Sequence, residues 1–122
     1  MNPQADAAAA LCAWRAEGLD GASGTALFAP ESAVFTGHFP GYPLVPGVHQ
    51  IALLAALVRL AVAQPLLRIQ AISRAKWTAP VQPGEELALV ARWRRSGEDL
   101  IVDGDCRLGE QVASTCRFTL RG

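Results

Sequence analysis

Few features of this sequence mark a disulfide-rich, metal-binding or nucleic-acid-binding protein. Its three cysteines, Cys12, Cys106 and Cys116, are an odd number without a C-x-x-C pair, which predicts neither a disulfide framework nor a zinc site. Eleven basic side chains balance eleven acidic ones, so the basic excess of a nucleic-acid-binding protein is absent. No glycine-rich nucleotide loop followed by Lys-Ser/Thr occurs. We therefore expect no metal, no cofactor and no nucleic-acid partner.

Long hydrophobic runs are also scarce. The most apolar stretch, residues 48–63, is interrupted by His49, Gln50 and Arg59 and is shorter than the ~20 residues that cross a bilayer. No basic segment precedes the alanines at residues 7–10, so a signal peptide is not expected. These absences predict a soluble cytoplasmic protein with no membrane partner.

The length and composition suit one packed domain. The chain has 122 residues, of which 51% are apolar and only 18% charged. We expect a flexible N-terminus over residues 1–9 and a single domain over residues 10–122. The low charge also favours an apolar surface that is buried in an oligomer.

One helix and five to six strands are predicted. Residues 48–63 are rich in Ala and Leu, are apolar nearly all round, and end before Pro65, which favours a single buried helix. Alternating apolar residues predict a strand with one buried face after Pro65, and Gly104 is a candidate bulge in a later strand. The predicted strands are 11–17, 25–29, 67–78, 87–93, 100–107 and 112–120. One helix against a twisted antiparallel sheet is an α+β arrangement.

The loop before the helix carries the strongest signal. Residues 37–48, Gly-His-Phe-Pro-Gly-Tyr-Pro-Leu-Val-Pro-Gly-Val, contain three prolines and three glycines, which exclude regular structure and favour a locked, functional loop. This segment resembles the G-H-F-P-G-x-P-φ-φ-P-G-V signature of the 3-hydroxyacyl-[acyl carrier protein] dehydratases, the FabA/FabZ group. Residues 74–77 and 80–84 are similar to that family's (K/R)-F-x-x-P-V-x-P-G-D strand and turn. The resemblance is closest to the ApeI-like branch and covers about residues 24–121.

The resemblance implies a hot-dog fold, in which the sheet wraps one central helix, and a site at a dimer interface. It implies that His38 is the catalytic base, a role that suits an imidazole on a rigid loop. The backbone N–H groups of Gly47 and Val48 open the helix, where unpaired donors favour developing negative charge on a thioester oxygen. Phe39 and Tyr42 are candidates for lining the acyl tunnel, and packing is the alternative for both.

Ala52 departs from the dehydratase pattern. The family has Glu or Asp on the helix fourteen residues after the loop histidine, and alanine cannot replace that acid. His49 shares a helical face with Ala52 and is a tentative substitute, although a structural role, with the ring satisfied by a loop carbonyl, is the favoured alternative. Gln50 lies on a different side of the helix and can instead hold the loop by a hydrogen bond.

Three functions remain open. The first is an active 3-hydroxyacyl dehydratase, a lyase of fatty-acid or polyene-type lipid synthesis, acting on substrates linked to acyl carrier protein or CoA. The second is a non-catalytic or half-active subunit that binds acyl chains or pairs with another hot-dog protein, so that both a homodimer and a heterodimer are open. The third is a thioesterase, which usually employs a helix carboxylate that is missing here. Arg74 and Lys76 are tentative docking residues for an acidic carrier protein, and a solvated strand face is the alternative.

Overall fold

A computed structural model describes residues 3–28, 47–82 and 84–122. Its main elements follow in the order strand, strand, helix, four strands, and an additional short helix stands at the start. The elements are α1 (Pro3–Ala10), β1 (Leu11–Ala16), β2 (Gly21–Leu27), α2 (Gly47–Ala61), β3 (Arg68–Trp77), β4 (Glu86–Ser96), β5 (Asp99–Leu108) and β6 (Gln111–Arg121). The predicted α+β arrangement of one central helix and an antiparallel sheet is confirmed.

The six strands form one antiparallel sheet in the order β1-β2-β4-β5-β6-β3. The strands β4, β5 and β6 are joined by short hairpins at the predicted positions. Gly97 and Gly109 occupy these turns with φ of 63° and 61°, a left-handed conformation that glycine adopts without a steric penalty. Strand β3 pairs with β6 and not with β4, its successor in sequence, so it lies at one end of the sheet.

Helix α2 is the centre of the fold. Its side chains from His49 to Val58 are all buried, and it packs against β1, β2, β4, β5 and β6. The helix ends in a Schellman motif: the Gln64 N–H donates to the Arg59 carbonyl oxygen (3.0 Å) and the Ala63 N–H donates to that of Leu60 (3.2 Å). Ala63 takes the left-handed position with φ of 55°, where glycine is usual.

The inner face of the sheet supplies the rest of the core. It contributes fully buried leucines and Phe118, and the close approach of α2 is made possible by Gly104 on β5. A Cβ atom at Gly104 would lie 2.7 Å from Cδ1 of Leu54, which is too close for a real contact. No register shift occurs at Gly104, so the predicted bulge there is wrong; the irregularity in β5 lies between Cys106 and Arg107. Gly104 makes room for the helix.

Strand β3 differs from the prediction of one buried face. Ile69, Ile72 and Trp77 pair with the buried β6 residues Leu120, Phe118 and Ser114 and therefore point to the inner side of the sheet. All three are nevertheless exposed, Ile72 to 48%. These side chains are exposed because β3 is the last strand of the described sheet. The strands that pack against the body of α2 are β1, β2, β4, β5 and β6.

Two further differences concern the N-terminal part. A flexible N-terminus is expected over residues 1–9, but Pro3–Ala10 form α1, which packs on α2 and buries Ala7 and Ala10. Alanine has the highest helix propensity, and the buried contact adds the stabilisation that a free terminus lacks. Strand β2 begins at Gly21 and not near residue 25, because the Glu17 N–H donates to the Gly21 carbonyl oxygen (2.9 Å) and closes a tighter turn.

Candidate active site

The candidate site lies at the start of α2. Phe28, which directly precedes residues 29–46, packs edge-on against the His49 ring, with centroids 6.0 Å apart and an interplanar angle of 86°. The Gly84 N–H donates to the Phe28 carbonyl oxygen (2.9 Å), so the turn after β3 is tied to the same corner. The two segments that carry the family resemblance also meet here, because Trp77 of the second packs on Gly47 of the first. His38, Phe39 and Tyr42 lie outside the described residues, and their roles stay predictions.

A buried polar pair fixes the first turn of α2 to β6. The Ser114 hydroxyl donates to Oε1 of Gln50 (2.6 Å), and both side chains are buried. The Cys106 thiol points at the Gln50 carbonyl oxygen, with 3.8 Å between sulfur and oxygen. The sequence predicts that Gln50 holds the loop, but its bond with Ser114 is not predictable, because nothing in the spacing of residues 50 and 114 links them.

The two buried cysteines beside this pair are poor nucleophiles. Burial raises the pKa of the Cys106 thiol to about 12, and burial also raises the pKa of Cys116 to about 12. The thiolate is the reactive form of cysteine, so both thiols stay protonated and inert near neutral pH. Covalent catalysis through these sulfur atoms is therefore not supported.

Trp77 covers the beginning of α2. Its indole packs so closely on Gly47 that a Cβ atom there would collide with ring atoms Nε1, Cε2 and Cζ2. The indole is half exposed, as is Val48, the next residue of the helix. Gly47 and Val48 are among the site residues predicted from the sequence, whereas Trp77 is not. The available signal was a tryptophan at the phenylalanine position of the resembled motif.

The position of the missing acid is buried. Ala52 is 7% exposed and His49 is fully buried, and both lie among the buried residues of α2. A carboxylic acid at residue 52 would therefore be desolvated, which raises the pKa of a carboxyl group and favours its protonated, hydrogen-donating form. The environment suits the general acid that the resembled family has there, although this chain has only a methyl group.

Arg74 and Lys76 point away from this corner. They pair with Arg117 and Thr115 of β6, whose side chains are on the outer face of the sheet. The Arg117 guanidinium binds both carboxylate oxygens of Asp103 (2.7 and 3.3 Å), and this contact raises the pKa of Arg117. Arg74 and Lys76 are themselves exposed, so the outer face of β3 presents their positive charges to solvent.

A recess of about 460 Å³ lies at the other end of β2. Glu17, Asp20 and Arg92 line it, and the Glu17 carboxylate accepts hydrogen bonds from Ser23 (2.8 Å) and Arg15 (2.6 Å). Both bonds go to Oε1, and they lower the pKa of Glu17. The described residues contain no group of three or more metal-ligating side chains and no helix with the length and apolarity to cross a membrane.

Known proteins match this chain in sequence and in fold. The family model described as ApeI-like, ApeI dehydratase, matches residues 16–115. The dehydratase heterocomplex ApeI:P from Xenorhabdus doucetiae contains a chain with a TM-score of 0.75 and 27% identity, covering 92% of this chain and 96% of that one. The Escherichia coli PaaI protein has the same fold, with a TM-score of 0.70 at 15% identity and coverage of 98% and 87%.

Curated sequences agree with the structural matches. The 3-hydroxyacyl-[acyl-carrier-protein] dehydratase FabZ of Koribacter versatilis is 34% identical over 96 residues, which cover 70% of this chain and 59% of FabZ. A FabZ of Thermus thermophilus is 33% identical over 98 residues, covering 72% and 69%. The chain thus matches about 60% of the length of several of these relatives.

A central helix held by a six-stranded antiparallel sheet and these structural matches define a hot-dog protein. Within that class, the match over residues 16–115 shows that the chain belongs to the ApeI-like dehydratase family.

Proposed function

We propose that this protein is a subunit of a dehydratase that removes water from 3-hydroxyacyl thioesters carried by acyl carrier protein or CoA. The observation that carries the proposal is the corner at the start of α2. There Gly47 and Val48, the last two residues of the loop motif, open a buried helix, and Trp77 of the second motif packs on the same turn. The similar FabZ enzymes and the similar ApeI:P chain support the same reaction.

The proposed chemistry needs a base, an oxyanion site and a proton for the leaving hydroxyl. His38 accepts the proton from the α-carbon of the acyl group. The N–H groups of Gly47 and Val48 belong to the first turn of α2, which lacks intrahelical acceptors, and they stabilise the enolate-like thioester oxygen. The β-hydroxyl then takes up a proton and leaves as water, which gives the 2-enoyl thioester.

The group that gives a proton to the leaving hydroxyl is missing from its usual position. Ala52 stands at the position of the usual acid, so protonation of the β-hydroxyl depends on another group. His49 remains a candidate, and its burial against Phe28 at the start of α2 supports that choice. General acid–base help from one side chain contributes about 10²–10⁴-fold to a rate. A homodimer without the acid should therefore be slow by a factor of that order.

Pairing with a second hot-dog subunit explains the surface of β3. Its apolar inner row, Ile69, Ile72 and Trp77, is exposed, and the strand is at the end of the described sheet. A second subunit that pairs its own edge strand with β3 continues the sheet and covers Ile69 and Ile72. The similar ApeI:P complex favours a heterodimer, in which the other chain supplies the missing acid. A homodimer is the alternative.

Carrier docking is proposed for the outer face of the same strand. The positive charges of Arg74 and Lys76 are exposed there and suit an acidic carrier protein. Such electrostatic attraction increases the association rate more than the affinity. A thioesterase function is less well supported, because α2, from Gly47 to Ala61, contains no acidic residue.

The decisive experiment measures conversion of 3-hydroxybutyryl-CoA and 3-hydroxydecanoyl carrier protein to the enoyl products by mass. We expect slow turnover by the purified chain, none by His38→Ala, and an increase of about 10²-fold or more in Ala52→Glu. Ala56→Glu is the matched control, because Ala56 lies one turn further along α2 and is equally buried. Thermal melts of all variants establish that they fold.

Two outcomes contradict the slow turnover that is expected of the purified chain. Fast turnover that His49→Ala abolishes and Ala52→Glu leaves unchanged would show that His49 has replaced the acid. Absence of turnover in the wild type and in Ala52→Glu, with binding of the substrate retained, would identify a binding or partner subunit. In that case, co-expression with a hot-dog chain that carries Glu or Asp on its helix should restore activity.

A further inference from the structure

Trp77 packs on Gly47 beside the proposed oxyanion site and has no assigned role. It is the last residue of β3, and its pairing with Ser114 directs the indole to the inner side of the sheet. There the ring packs on Gly47, the first residue of α2, so tightly that no side chain is possible at residue 47. The contact therefore explains the glycine, and it places an aromatic ring beside the N–H groups of the first turn.

The surroundings of the ring are unusually open for the inner side of the sheet. Trp77 is 50% exposed and Val48 is 53% exposed, whereas α2 is buried from His49 to Val58. Half of the indole is thus left uncovered next to an exposed stretch of the helix. A large apolar surface beside the backbone donors of a helix start suits a ligand with a polar carbonyl and an adjacent apolar chain.

We infer that Trp77 is a specificity-determining wall that excludes acyl thioesters with a substituent on the α-carbon. The inference rests on the proposed function. If the thioester oxygen is held by the first turn of α2, the carbonyl carbon lies beside Gly47 and the α-carbon is one bond away. The indole already fills the volume next to Gly47, so an α-methyl group has to displace the ring.

The size of the side chain at residue 77 is the physical basis for discriminating between branched and unbranched substrates. A pocket typically distinguishes substrates that differ by one methylene group by about 10–200-fold in kcat/KM, because a misfit must be relieved by moving packed atoms. Trp77→Leu removes the ring and opens this volume. Trp77→Phe, which restores the aromatic residue of the resembled motif, keeps an apolar wall of smaller size. The effect should therefore follow the volume of residue 77.

The activity test compares 3-hydroxybutyryl-CoA with 2-methyl-3-hydroxybutyryl-CoA. We expect the wild type to prefer the unbranched substrate and Trp77→Leu to reduce that preference at least about tenfold, mainly through KM of the branched compound, with Trp77→Phe between them. Trp14→Phe is the matched control, because Trp14 is also a half-exposed tryptophan but lies on β1. Its preference should equal that of the wild type.

A binding test separates failure of this inference from failure of the proposed function. In the Trp14→Phe protein the remaining tryptophans are Trp77 and the buried Trp93, so acrylamide quenching reports mainly on Trp77. Crotonyl-CoA should protect this fluorescence in an inactive protein as well as in an active one. Addition of Trp77→Phe should abolish the protection.

Two results would overturn the inference. The first is an unchanged preference in Trp77→Leu together with weaker subunit association, measured by analytical ultracentrifugation, which would make Trp77 an interface residue only. The second is binding of crotonyl-CoA, measured by calorimetry, without any protection of Trp77 from acrylamide. In that case the thioester binds elsewhere, whether or not the protein is a dehydratase.

Discussion

At the scale of single residues, small side chains lie where the fold leaves no room for larger ones. Gly104 admits Leu54, and Gly47 admits the indole of Trp77. Ala63 is the opposite case, because it adopts a left-handed conformation that favours glycine, yet it carries a Cβ atom. It is exposed at the end of α2, so the backbone alone determines what this position prefers.

Replacing Ala63 by glycine should stabilise the protein. Glycine removes the steric cost of the left-handed conformation, about 1–2 kcal/mol, and loses part of that gain through the greater entropy of the unfolded chain. We expect the free energy of unfolding to rise by about 0.5–1 kcal/mol in urea titrations. Ala61→Gly is the control, because residue 61 is helical and should lose about 1 kcal/mol. Destabilisation by both substitutions would disprove the steric argument.

At the scale of elements, α2 is an apolar helix with two polar residues at its buried start. His49 packs against Phe28, and Gln50 accepts a hydrogen bond from Ser114. Buried polar groups need partners, since a lost hydrogen bond is not replaced by water. The polar pair therefore fixes the rotation of α2 relative to β6, which in turn fixes the direction of the N–H groups at Gly47 and Val48.

Ser114→Ala should weaken this connection. It removes the donor to Gln50 and should lower the free energy of unfolding by about 1 kcal/mol, the usual net value of one hydrogen bond. Thr115→Ala, the neighbouring β6 residue on the outer face, should change it by less than about 0.5 kcal/mol. Chemical denaturation of both variants measures the difference. Equal effects would show that the buried bond does not hold the helix.

At the scale of the whole molecule, the described chain has an apolar row at the end of its sheet that its own helix leaves largely exposed. Ile69, Ile72 and Trp77 follow one another on the inner side of β3. Contiguous exposed apolar surface is typical of protein interfaces. Subunit association and the candidate active site are therefore connected, because Trp77 belongs both to this apolar row and to the contact with Gly47 at the start of α2.

Ile72→Lys should dissociate the proposed dimer. It places a charge at the centre of the apolar row, where a partner subunit would have to bury it. We expect a dimer for the wild type and a monomer for the variant in analytical ultracentrifugation at micromolar concentration. Leu19→Lys, which changes an almost fully exposed leucine in the β1–β2 turn, should remain dimeric. A monomeric wild type would contradict the homodimer and favour a partner of different sequence.

Much of the fold was determined by local sequence. Breaker-free alanine and leucine define α2, and Gly97 and Gly109 define the hairpins between β4, β5 and β6. The loop motif and the motif around Trp77 were sufficient to predict the hot-dog fold and the family. These features are local, since helix propensity, turn conformation and motif spacing depend on residues within a few positions of one another.

Features that depend on residues far apart in the sequence were determined only by the tertiary structure. The sheet order that separates β3 from β4, the exposure of the apolar row of β3, and the helix at residues 3–10 follow from where α2 covers the sheet. The contacts of Gln50 with Ser114 and of Gly47 with Trp77 join residues 64 and 30 positions apart. Alternation of apolar residues shows that a strand has an apolar face, but only packing determines what covers it.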